Sequence, residues 1–181
     1  MTHTRSVHAP VRLVLVEGES DRRALEVLAA RRGVDLAVVG VEVVAMQGIT
    51  NLRRHLADLG PDDQVTGLYD AAEGGFVGRV LATTRPTARF FACEADLEDE
   101  LVRALGHAAV IDAIEAAGDL ASYHSLRQQP FHRYRPETEV LRRFMGTTSG
   151  RKLRYAGLLV TALRHDRVPQ PLDEVMRHAT G

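Results

Sequence analysis

Three groups of carboxylates stand out, because each directly follows a short apolar run. Glu17 follows residues 11–16 (VRLVLV) and precedes a glycine. Asp70 closes the run at residues 65–69, and Glu94, Asp96, Glu98, Asp99 and Glu100 follow residues 88–93 (ARFFAC). Asp21 lies four residues beyond Glu17, about one turn into the next segment, which turns it toward the same place. Carboxylates gathered at one edge repel each other and hold each other's protons unless a cation neutralises them. Hard divalent ions such as Mg²⁺ and Mn²⁺ prefer such oxygen ligands. A site of this kind holds one ion or two and activates water against a phosphodiester. Part of the pattern has a plainer reading. Glu98, Asp99 and Glu100 also fit ordinary charge at a helix N-terminus, and Glu19 a solvated loop or cap.

The elements that must position these acids are legible from periodicity. Residues 11–16, 38–46, 65–69 and 88–93 are apolar and rich in β-branched or aromatic side chains, and read as strands. Residues 21–32 (DRRALEVLAARR) carry Ala24, Leu25, Leu28 and Ala29 on one helical stripe, with Gly33 as a stop. A second helix begins around residues 48–51 and presents Leu52, Leu56 and Leu59. Residues 76–81 make a short helix and residues 97–105 a fourth. From about residue 107 the strand signals stop, and residues 108–117, 120–128, 137–144, 151–164 and 172–178 all read as helical. The order β-α-β-α-β-α-β predicts a parallel sheet flanked by helices, followed by an all-helical C-terminal extension. The expected organisation is an α/β core over residues 1–106 and a basic helical extension over 107–181, packed on that core. Right-handed crossovers bring the carboxyl ends of parallel strands to one edge, where open α/β sheets place their ligands.

Composition narrows the remaining classes. The chain has 181 residues, 45% hydrophobic and 26% charged, which fits a globular domain. The formal net charge is −1, yet it is unevenly spread. Residues 1–126 carry 12 Arg against 19 acids, whereas residues 127–167 carry 9 Arg and one Lys against 3 acids. Cys93 is the sole cysteine, which excludes an intrachain disulfide and a multi-cysteine zinc site. No apolar run reaches the ~18 residues of a membrane span. The first ten residues lack the apolar core of a signal peptide, so the expected location is cytoplasmic. The histidines, among them His3, His8, His124, His132, His165 and His178, form no metal-binding spacing. The glycine-rich EGGFVG at 73–78 lacks the Lys-Ser/Thr of a phosphate-binding loop and reads as a flexible turn.

The segment LVLVEGESDRRAL, a strand running into Glu-Gly and then a helix, resembles the first motif of the Toprim domain. That domain is the catalytic fold of topoisomerases, primases and the OLD (overcoming lysogenization defect) nucleases. The likeness is nearest to the OLD type, including small stand-alone actinobacterial versions, and covers residues 11–105, extending through 150–165. It implies that Glu17 and Asp21 bind metal. The second family motif, Asp-x-Asp at the end of the third strand, falls on Tyr69-Asp70-Ala71-Ala72-Glu73. Asp70 matches the first Asp, Ala72 replaces the second, and Glu73 is the candidate substitute. After the fourth strand the resemblance nominates Asp96 and Glu98 as metal ligands. It also places a lysine at the start of a late helix, and the chain's one lysine, Lys152, falls there in GRKLRYA. Such a cation stabilises charge developing on a phosphate.

In the basic segment, Arg127, Arg133, Arg135, Arg142, Arg143, Arg151 and Arg154 are candidate contacts to a nucleic-acid backbone. Tyr123, Phe131, Tyr134, Phe144 and Tyr155 lie among them, although Phe144 and Tyr155 also read as core. The alternative is that these arginines pair with the acidic sheet domain and hold the two parts together. The resemblance implies Mg²⁺- or Mn²⁺-dependent phosphodiester chemistry on DNA or RNA, with Glu17 and Lys152 catalytic. No ATPase motif is present, so ATP dependence is expected only through a separate ATPase or other protein partner. A homodimer remains open. Two rival readings are a degenerate nucleic-acid- or protein-binding module, with Ala72 marking the lost site, and a transferase or hydrolase of a small nucleotide.

Overall fold

The structure, a computed structural model, describes residues 10–84, 86–146, 148 and 150–181; His3 and His8 lie outside them. Strands β1 (Arg12–Val16), β2 (Val41–Ala45), β3 (Gln64–Asp70) and β4 (Thr87–Cys93) form a parallel sheet in the order β2-β1-β3-β4. Helices α1 (Glu19–Arg31), α2 (Leu52–Ala57) and α3 (Gly74–Leu81) connect the strands. Then come α4 (Leu97–Leu105), α5 (His107–Ala116), α6 (Leu120–Gln128), α7 (Glu137–Gly146), α8 (Arg151–Ala162) and α9 (Gln170–Thr180). This is the expected α/β sheet followed by a helical C-terminal part.

β1 is central because it is apolar on both faces. Val14 and Val16 point into one core with α1, α4, α8 and α9, while Leu15 points into a second core with α2 and α3. The chain therefore winds outward from β1 in both directions, and the order of strands reverses between β1 and β3. In a doubly wound sheet that reversal opens a crevice at the carboxyl ends of the two strands. Glu17 directly follows β1 and Asp70 ends β3, so both acids stand at this crevice. Gly67 allows β3 to lie tightly there. A Cβ at that position would stand 2.2 Å from the Leu15 carbonyl oxygen and 2.5 Å from the Phe90 ring.

The helical part belongs to the same core as the sheet. α8 lies along α1, where Gly157 leaves room for the Arg23 side chain. Arg31 donates to the carbonyls of Val160 and Leu163, both at 2.5 Å, and so satisfies backbone acceptors at the end of α8. Tyr123, Phe144 and Tyr155 pack edge to face in the helical layer.

Three local expectations need correction. The second strand starts at Val41, not residue 38. Asp35 Oδ1 accepts the amides of Ala37 and Val38, and Gly40 leaves that turn at φ 70°. Val38 is consequently 81% exposed. The glycine-rich stretch is a helix from Gly74, not a turn, because Val77 and Val80 bury on one stripe. Finally, α1 begins at Glu19, which places Asp21 in its first turn. Among the described residues, no helix is long and apolar enough to cross a membrane.

Candidate metal centre

Each acid reaches the crevice through a different local device. Glu17 sits where β1 gives way to α1, and its carbonyl accepts the Gly48 amide at 3.0 Å, tying the β1 loop to the β2 loop. Asp70 caps a single 3₁₀ turn, Ala71–Glu73. Side chains three apart are eclipsed in such a turn, so Glu73 returns over Asp70. One carboxylate oxygen from each of Glu17, Asp70 and Glu73 lies within 4.8 Å of the others. Ala72 is exposed, outside the cluster. The substitute acid thus stands with the two that sequence places at strand ends.

Asp21 and Asp96 line the same cleft, of about 690 Å³, with Lys152 opposite. The Gly18 amide donates to Asp21 Oδ2 at 2.8 Å, so Asp21 also closes the loop after Glu17. Asp96 caps α4 by accepting the Asp99 amide at 2.9 Å, and its other oxygen takes a hydrogen bond from Arg142. Glu98 lies apart from the three-acid cluster. It is 5% exposed, one oxygen 3.2 Å from Lys152 Nζ and the other without a partner among the described residues.

The electrostatics are those of negative charge gathered away from water. Burial, then the fields of Asp96, Glu17, Glu73 and Asp21, raises Asp70 to about 6. Burial lifts Glu98 to about 7, against the pull of Lys152. Burial also raises Asp21, partly offset by the Gly18 amide and Lys152, and raises Glu73, with Glu17 adding to the rise. Glu73 Oε2 is buried and has no partner among the described residues. Three converging hard oxygen donors and an orphaned buried oxygen fit a divalent ion of the Mg²⁺ or Mn²⁺ kind. Among the described residues, no histidine or cysteine joins the cluster.

Residues 11–59 match the family model of the overcoming lysogenization defect protein-like TOPRIM domain. That segment is similar to a Toprim domain of the OLD type. The C-terminal region of the Burkholderia pseudomallei OLD protein has the same fold, with a TM-score of 0.65 at 17% identity, over 92% of this chain and 95% of that one. The C-terminal region of the Xanthomonas campestris pv. campestris OLD protein gives a TM-score of 0.62 at 20% identity, over 93% and 92%. No curated protein matches the sequence.

The arginines of the helical part divide. Arg127 pairs with Glu137 and also bonds the carbonyls of His132 and Arg133. Arg135 pairs with Glu139 and covers the Phe131 ring, and Arg142 pairs with Asp96. Arg154 holds Asp119 and the Ala117 carbonyl, and Arg151 lies over the Phe144 ring. Arg133 and Arg143 have no ion pair among the described residues. Tyr123, Phe144 and Tyr155 are buried, whereas Phe131 and Tyr134 are 67% and 89% exposed.

One wall of the cleft is absent from the sequence reading. Gln47, at φ 60°, lines it and donates to Glu19 Oε1 at 3.1 Å. Asn51 holds the turn by donating to the carbonyls of Met46 and Gln47. A non-glycine residue held at positive φ is a mark of functional sites. The available signal was position: Gln47 follows β2 on the same carboxyl edge.

Proposed function

We propose that this chain is a metal-dependent phosphodiesterase acting on DNA or RNA, with its site at the β1/β3 crevice. The observation that carries the reading is the convergence of Glu17, Asp70 and Glu73 within 4.8 Å. These three would hold the ion, with Asp21 and Asp96 on the adjoining wall. When bound, Mg²⁺ or Mn²⁺ supplies Lewis acidity toward a phosphoryl oxygen and an attacking water. The chain's own groups do the rest. Lys152 has three ammonium donors, of which Glu98 takes one, and its side chain is 52% exposed. The free donors face the cleft and stabilise charge on a phosphate there. The first turn of α8, from Gly150 to Leu153, lines the cleft and adds the positive end of that helix. Arg133, Arg143 and the exposed rings of Phe131 and Tyr134 supply backbone and base contacts outside it.

The test is cleavage of supercoiled plasmid, single-stranded DNA and RNA with Mg²⁺ or Mn²⁺, comparing wild type with Glu17→Gln. Metal-dependent cleavage lost in the variant is the expected result. No cleavage of any substrate, or equal cleavage by the variant, overturns the proposal.

A further inference from the structure

A second cavity, of about 280 Å³, opens at the opposite, amino-terminal edge of the same sheet. Arg12 begins β1, so this cavity stands about 16 Å from Glu17 along the strand at 3.3 Å per residue. It is lined by Arg12, Thr66, Thr87, Arg89 and His178 among others, and among the described residues no Asp or Glu lines it. Strand register explains the grouping. Thr66 pairs directly with Arg89, and Val14, two residues beyond Arg12, pairs with Thr66. By the two-residue period, Arg12, Thr66 and Arg89 share the sheet face that bears Val14, Leu68 and Phe91, beneath α9.

Four features of this cavity are those of a ligand site. Neither Arg12 nor Arg89 makes a side-chain ion pair or hydrogen bond among the described residues. Thr66 is 5% exposed, and its hydroxyl has no hydrogen-bond partner there. A buried hydroxyl left unpaired is costly, so its donor has an unmet use at this wall. The His178 ring is fixed by stacking on Phe91, centroids 5.3 Å apart, which gives the cavity a flat polar side. The acids next to the lining are engaged elsewhere: Asp63, beside Gln64, accepts the Val11 and Gly60 amides, and Glu174 pairs with Arg177 and His178.

We propose that this cavity binds a small phosphate ester of mononucleotide size. Two unpaired guanidinium forks and two threonine hydroxyls offer more donors than a carboxylate has acceptors, and they suit the three terminal oxygens of a phosphomonoester. The volume falls just below the roughly 300–1,000 Å³ of small-molecule sites, yet exceeds what an isolated phosphate needs. The proposal is independent of the metal centre.

Calorimetric titration of the full chain in EDTA tests it, with 5′-AMP, adenosine and inorganic phosphate as probes. AMP is expected to bind wild type and Glu17→Gln alike, inorganic phosphate more weakly, and adenosine not at all. Thr66→Val, which keeps shape, should weaken AMP about tenfold. Arg12→Met with Arg89→Met should abolish binding while circular dichroism shows a retained fold. The proposal is overturned if AMP fails to bind at millimolar concentration, or if its binding survives the double Arg variant. Loss in Glu17→Gln, or phosphate binding as tightly as AMP, overturns it equally.

Discussion

Replacing Lys152 by Met removes the ammonium 3.2 Å from Glu98 and keeps the aliphatic stem. Glu98 is left as a carboxyl 5% exposed, with neither oxygen partnered. Its folded-state pKa of about 7 lies above the ordinary 4.5, so folding takes up a proton at this site. The wild-type contribution is therefore greatest at low pH, is lost as pH rises to about 7, and is level above that. Without Lys152 the pKa rises further, and the loss continues beyond 7. Its size is capped, because the stranded carboxyl can escape by protonation. That escape costs about 1.4 kcal/mol for each pH unit above the wild-type value. The variant should match wild type at pH 6, fall about 1.4 kcal/mol below it at pH 8, and fall further at pH 9. Urea denaturation in EDTA at these pH values measures the gap. In a Glu98→Gln background the pH-dependent part of the gap should vanish. A gap of equal size at pH 6 and pH 8, or one that persists with Glu98→Gln, would refute the reasoning.

Other consequences can be checked with the same protein. Glu73→Gln should weaken Mn²⁺ binding about 10–100-fold by titration, whereas Ala72→Asp, on an exposed position, should change it little. Mn²⁺ should raise the melting temperature more at pH 8 than at pH 5, since Asp70, raised to about 6, takes up a proton between them and competes with the ion; equal shifts at both pH values would contradict this. Gly67→Ala should cost about 3 kcal/mol or more in denaturant melts, because its Cβ meets the Leu15 backbone at 2.2 Å and that carbonyl cannot step aside.

What sequence reveals here depends on whether a device is local. Glu17 was legible because VRLVLV can only be a buried strand, and the residue after such a strand stands at the sheet edge. Asp70 was legible for the same reason. Glu73 could be nominated but not placed, since its return over Asp70 depends on a single 3₁₀ turn that spacing does not announce. The valine-rich stretch at 38–46 misleads at its start, because a polar residue outside it, Asp35, captures two of its amides. Pairing of the arginines with acids was one of two readings open in the sequence, but which partner each would take was not legible. Arg142 finds Asp96 across 46 positions and Arg154 finds Asp119 across 35. Charge segregation along the chain thus reflects internal pairing for several of them, whereas Arg133 and Arg143 make no ion pair among the described residues.

The central claim is that Glu17, Asp70 and Glu73 together hold a divalent ion. Anomalous diffraction from crystals soaked in millimolar Mn²⁺ tests it most directly. The account predicts a manganese peak bounded by these three carboxylates in wild type and lost in Glu17→Gln. No peak there at that concentration, or a peak that survives Glu17→Gln unchanged, would contradict it.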